Sequence, residues 1–99
     1  MTDEIVLEID DPAVLALLPR YLTRRADDIA TMRDALARSS FELIAQLGHR
    51  MRGSGAAYGM PFVTQIGRQL ERAALAGDVG VIDDALNHLD AYLGRVRTA

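Results

Sequence analysis

The chain has 99 residues, 49% of them apolar, which suits one modest core in a single domain and is too apolar for a disordered segment. Its formal charge of −3 argues against a nucleic-acid module, whose footprint is basic. The absence of cysteine excludes disulfides, thiolate chemistry and Cys-based zinc sites.

Met1-Thr2-Asp3-Glu4 has no positive, apolar leader character, so no signal peptide is expected. No apolar run approaches the ~20 residues of a membrane span, so a soluble cytoplasmic protein is expected. Met1 and the short tails favour a freestanding chain. Ile5-Val6-Leu7-Glu8-Ile9 is short and β-branched. It predicts an extended lead-in over residues 1–10, without a partner strand and so without a sheet.

Helical bundle should occupy 11–99. Leu and Ala dominate and aromatics are only 5%, a balance that favours helix over sheet. Asp10-Asp11-Pro12 predicts a helix start, with Asp as cap and Pro at the first position. Pro19 should kink that helix or divide it in two. Leu15, Leu18, Leu22, Ile29, Met32 and Leu36 recur at three-and-four spacing and predict its buried stripe. Arg20, Arg24, Arg25, Arg33 and Arg38 alternate with Asp27, Asp28 and Asp34, as on a solvated face.

Ser39-Ser40-Phe41-Glu42 offers a capping box, Ser39 reaching forward and Glu42 back. Leu43, Ile44, Leu47 and Met51 should face inward from the second helix, which breaks at Gly59 and Pro61. Pro61 opens a third, with Phe62, Ile66, Leu70 and Ala73 or Ala74 as its stripe. Gly77 ends it and Asp78 caps the last, which buries Ile82, Leu86, Leu89, Leu93 and Val96. The pattern predicts an all-α fold: an antiparallel up-and-down four-helix bundle with extra helical turns and the short extended lead-in.

His49 lies roughly 200° around its helix from both Leu47 and Met51, so it should face solvent. Arg52 and Gly53 follow one turn later, with Ala45 at i−4 and Ala56 at i+7. Small residues around an exposed imidazole leave room for another protein. Gly48 and Gly53 each cost ~1 kcal/mol inside a helix, which invites a reason such as close backbone approach. A plain surface histidine beside packing glycines is the bland alternative.

The run Gly48-His49-Arg50-Met51-Arg52-Gly53-Ser54-Gly55-Ala56-Ala57-Tyr58-Gly59 resembles the signature of histidine-containing phosphotransfer (HPt) domains. There the phosphorylated His is followed by x-x-Lys-Gly-Ser/Ala and then by a helix-ending Gly. Downstream, Leu70-Glu71, Ala73-Ala74 and Gly77-Asp78 resemble the family's L-E-x-A-A-x-x-G-D stretch. The departures are Arg52 for Lys, Gly48 for a common Ala and Gly55 for a common Ser.

The resemblance implies that His49 is the phosphoacceptor and that Arg52 lies near the phosphoryl oxygens. It implies that Gly53 leaves space for a docking receiver domain and that Glu71 hydrogen-bonds the imidazole. It also implies a carrier and not an enzyme, with no ATP site and no cofactor of its own. Mg²⁺ is expected on the partner, a receiver domain of a response regulator or of a hybrid histidine kinase.

The docking face would bear His49, Ala45, Gln46, Ala56 and Arg68, and an open face suits a monomer. Elementary chemistry agrees, since a carboxylate on one ring nitrogen fixes the tautomer and frees the other's lone pair. Glu71 paired with Arg68 or Arg72 in solvent is the competing reading.

A non-catalytic helical adaptor, in which His49 is incidental, is the alternative function. Gly53-x-Gly55-x-x-x-Gly59 follows a helix and lacks the βαβ unit of a dinucleotide loop. Gly55 to Gly59 is not in an apolar membrane segment. His88, without a ring of small residues or a nearby cation, reads as structural or solvent-facing. His49 and His88 are not at ligand spacing on one helix, so no metal site is expected.

Overall fold

The computed structural model describes residues 4–98. Residues 1–3 of the expected lead-in and residue 99 of the expected bundle lie outside the described residues. The described residues form four α-helices: α1 (Pro12–Ala37), α2 (Phe41–Ser54), α3 (Pro61–Ala76) and α4 (Val79–Arg95). A 3₁₀ turn, Ala56–Tyr58, follows α2, and two three-residue strands flank the helices, β1 (Ile5–Leu7) and β2 (Val96–Thr98).

Local chemistry sets most boundaries. Asp11 caps α1 by accepting the Ala13 N–H at 2.9 Å, with Pro12 at the first turn. Gly59 (φ 72°) and Gly77 (φ 66°) take the left-handed conformation that ends a helix, and Asp78 caps α4 through the Val81 N–H. α1 runs through Pro19 as one helix, so of the two expected outcomes the division does not occur. Proline removes one backbone bond, on an exposed side, while Leu18 and Tyr21 on either side are buried.

The expected capping box does not form. Ser39 has φ 57°, and Ser40 caps α2 without a side-chain bond. Ser39 is used instead to end α1: Ser40 N–H reaches Ala35 O at 2.8 Å and Ser39 N–H reaches Leu36 O at 3.1 Å. That is the Schellman pattern, with serine where glycine is usual. A left-handed serine is costly, so Ser39→Gly should stabilise the fold by about 0.5–1 kcal/mol, net of the unfolded-state entropy of glycine. A raised urea midpoint at unchanged slope would show it, and a lowered midpoint would contradict it.

The expectation of no sheet is also corrected. β1 and β2 pair in parallel, Ile5 with Val96 and Leu7 with Thr98. The partner of the lead-in comes from the other end of the chain. Val96, expected as the last buried residue of α4, is extended (ψ 133°) and begins β2, while remaining 5% exposed.

Each helix packs on two others: α1 on α2 and α4, α3 on α2 and α4. The core holds Met32, Ile44, Met51, Leu70, Ile82, Leu86 and Leu89, all fully buried. Each such side chain contributes roughly 1.5–3 kcal/mol through removal from water. Leu15, expected inside, is exposed, and Tyr21 and Ala35 take core positions on α1. Tyr21 stacks on Tyr58 at 4.0 Å and its hydroxyl bonds Ser54 Oγ at 2.8 Å, which ties the end of α2 to α1.

Candidate functional site

Leu47 and Met51 turn into the core, so His49 between them turns out. Its side chain is 60% exposed. What stands beside it depends on how closely α3 can approach. A Cβ placed on Gly48 would lie 2.8 Å from Gly67 O and 2.9 Å from Glu71 N. One placed on Gly67 would lie 2.5 Å from Arg52 N and 2.6 Å from Gly48 O. The two backbones therefore touch where neither has a side chain. Glu71, one turn after Gly67, is thereby brought to the residue next to Gly48.

His49 Nδ1 lies 2.9 Å from Glu71 Oε2. Arg52 Nη1 pairs with Glu71 Oε1 at 3.0 Å, and Arg52 Nη2 lies 3.1 Å from His49 Nδ1. Glu71 is the least exposed of the three, at 20%. A carboxylate with one oxygen on the ring and the other on a guanidinium is held in place from both sides. An imidazole that donates through Nδ1 keeps its lone pair on Nε2, at the opposite edge of the ring.

Beside the ring lies an open groove of about 570 Å³. Ala45, Gln46 and Arg50 line it from α2, with Phe41 and Glu42 at its start. Ala74 and Leu75 line it from α3, and Leu75 is 78% exposed. Electrostatics link this edge to α1. Burial raises the Asp28 carboxyl above its ordinary 3.8, against the pull of Arg25, bonded to it at 2.9 Å, and of Arg50.

The sequence-derived residues fall into two groups. His49, Arg52 and Glu71 are in mutual contact, and Ala45 and Gln46 share the groove with His49 and Glu71. Gly53 is exposed, with nothing within 4 Å of where a Cβ would stand. Ala56 lines no part of the groove and begins the 3₁₀ turn, its N–H bonded to Thr64 Oγ1 at 2.9 Å. Arg68 lines a separate depression of about 370 Å³, with Gln65, Arg72 and Val81. Glu71 bonds neither Arg68 nor Arg72 among the described residues.

Sequence reasoning passed over Gly67, Phe41 and Leu75. The cost argument raised for Gly48 applies equally to Gly67, a mid-helix glycine one turn before Glu71. Leu75 is an apolar residue outside the stripe of α3, which is itself a signal.

A family model described as Hpt domain matches residues 16–99. No curated protein and no solved structure matches the chain. β1 and the cap of α1 lie upstream of the matched region.

Proposed function

The chain belongs to the Hpt domain family, and we propose that it carries a phosphoryl group on His49 between receiver domains in two-component signalling. The observation that supports this best is the exposed His49 ring bonded at Nδ1 to Glu71. A carboxylate at Nδ1 favours the tautomer in which Nε2 keeps its lone pair and is the nucleophile.

In uptake, Nε2 attacks the phosphorus of an aspartyl phosphate on the receiver. The P–O bond breaks and its electrons leave with the aspartate carboxylate. The ring gains positive charge as the N–P bond forms, and Glu71 stabilises it across the Nδ1–H bond. Arg52, whose guanidinium faces Nδ1 and Glu71, lends the phosphorylated ring a permanent positive charge where a lysine is usual. Catalysis of phosphoryl transfer is mostly positioning and charge neutralisation, and the receiver brings the Mg²⁺. This chain is then a carrier without its own cofactor or ATP site. Discharge to a second receiver reverses the steps.

The receiver docks along the groove, on Ala45 and Gln46 with Phe41, Ala74 and Leu75, and passes over Gly53. Ala56 and Arg68 belong to the edge of that face at most. We read the helices as an antiparallel up-and-down bundle, and the protein as a cytoplasmic monomer whose one open face stays free for a receiver or a hybrid kinase.

Incubation with a phosphorylated receiver should give an acid-labile, base-stable label on the peptide that contains His49. If no receiver in a broad panel transfers label, yet partners still bind, the protein is an adaptor and the carrier reading fails.

A further inference from the structure

Nδ1 of His49 has two neighbours of opposite kind. Glu71 Oε2, at 2.9 Å, can only accept a hydrogen bond. Arg52 Nη2, at 3.1 Å, can only donate one. A ring nitrogen offers a single in-plane position, which holds either a proton or a lone pair. It can therefore bond one of these neighbours at a time. The ion pair of Arg52 Nη1 with Glu71 Oε1, 3.0 Å, holds both in reach whichever is engaged. Glu42 and Arg50, of opposite sign, also line the groove beside the ring, and neither bonds it among the described residues.

Resting on the carrier reading above, we infer that the exchange of Nδ1 between Glu71 and Arg52 sets how long the phosphoryl group stays on His49. With phosphoryl on Nε2, departure breaks the P–N bond and the electron pair returns to Nε2. If Nδ1 bears a proton, the leaving group is neutral imidazole. If Nδ1 is bare, the leaving group is the imidazolide anion, which departs far less readily. Glu71 accepts from Nδ1–H and so favours the ring that is ready to transfer. Arg52 donates to bare Nδ1 and so favours the ring that stores.

The cycle balances. Uptake starts from the Nδ1–H ring, whose Nε2 lone pair forms the new bond and leaves one positive charge on the ring, facing Glu71. Release of the Nδ1 proton to water gives the neutral phosphorylated ring, and Arg52 takes over the bare nitrogen. Return of a proton from water to Nδ1 restores the leaving group, and the phosphoryl passes to the next carboxylate. Glu71 and Arg52 act as positioning residues for this proton.

Phosphoramidate, a small-molecule phosphoryl donor to imidazoles, loads the full chain without a receiver, and loss of label is then followed against pH. Arg52→Ala should move the pH profile of loss upward and shorten the lifetime at mildly alkaline pH by on the order of tenfold. Glu71→Ala should move it downward and lengthen the lifetime by a similar factor. Arg52→Lys, which keeps a donor, should recover most of the wild-type profile.

Opposite displacements are the signature, because a merely structural role moves both variants the same way. Loading with profiles that stay put or move together overturns this inference alone. Failure of wild-type His49 to load from phosphoramidate and from a broad receiver panel removes the carrier reading, and this inference with it. Glu71→Gln, which keeps the shape and an acceptor oxygen, replaces Glu71→Ala if that variant does not fold, and should give a smaller displacement in the same direction.

Discussion

His49→Ala should reduce phosphoryl uptake from a receiver to background while the thermal midpoint moves by less than roughly 8 °C, the shift expected for about 1 kcal/mol in a domain of this size. Both halves follow from where the side chain sits. At 60% exposure it contributes no fully buried surface, and the core residues on either side, Leu47 and Met51, keep their places. Its removal costs one exposed hydrogen bond, and Glu71 retains its 3.0 Å pairing with Arg52. Uptake, by contrast, loses the only atom proposed to hold the phosphoryl group. His88→Ala is the control. His88 is exposed and bonds nothing among the described residues, and its removal should leave uptake unchanged. Equal label on His49→Ala and wild type would remove His49 from the reaction.

Gly67→Ala should have the largest effect on stability, a loss of roughly 3 kcal/mol. The new methyl would stand 2.5 Å from Arg52 N, 2.6 Å from Gly48 O and 2.8 Å from Met51 Cβ. The first two are backbone atoms of a packed helix, so no side chain can swing aside. Alanine's better helix propensity returns only ~1 kcal/mol. α2 and α3 must separate, and the His49–Glu71 bond lengthens with them.

Urea unfolding gives the magnitude, and an unchanged midpoint would refute the close-approach account. Gly53→Ala is its counterpart on the exposed side of α2. Beyond its own helix, nothing among the described residues lies within 4 Å of the added methyl, so stability should hold or rise slightly. Uptake from a receiver should fall if the partner passes over that position.

The four helices were legible because their signals are local. Asp11-Pro12, Gly59 with Pro61, and Gly77-Asp78 each mark an end through a bond spanning a few residues, and the stripes of α2 and α3 need only a helical period. What was not legible depended on distance or on choice. The partner of Ile5–Leu7 lies at the far end of the chain, where no local pattern can point to it. Ser39 had two uses, as a cap for α2 or a terminator for α1, and the backbone bonds to Ala35 and Leu36 decided the second.

Within the site, the outward direction of His49 came from helical spacing alone. Glu71 was named through the resemblance alone, because helical spacing could not say which face of α3 meets α2. That face is set by the bare contact of Gly48 and Gly67, and it carries Glu71 toward the ring while Arg68 lies in the depression shared with Val81 of α4. The joint hold of Arg52 and Glu71 on one nitrogen is a matter of ångströms and has no trace in residue spacing.

The parallel pairing of β1 with β2 has a mechanical consequence. Neighbouring strands lie ~4.8 Å apart, and Ile5 and Thr98 are offset along them by only two residues. Entry and exit thus fall within roughly 10 Å of each other. The helices between them form a bead hung from one point, and a pull applied across the two ends would load the strand pair before it reached α2 or α3. Such a bead can be spliced into a loop of another protein, or re-opened elsewhere after its ends are joined, without disturbing the faces that meet at His49.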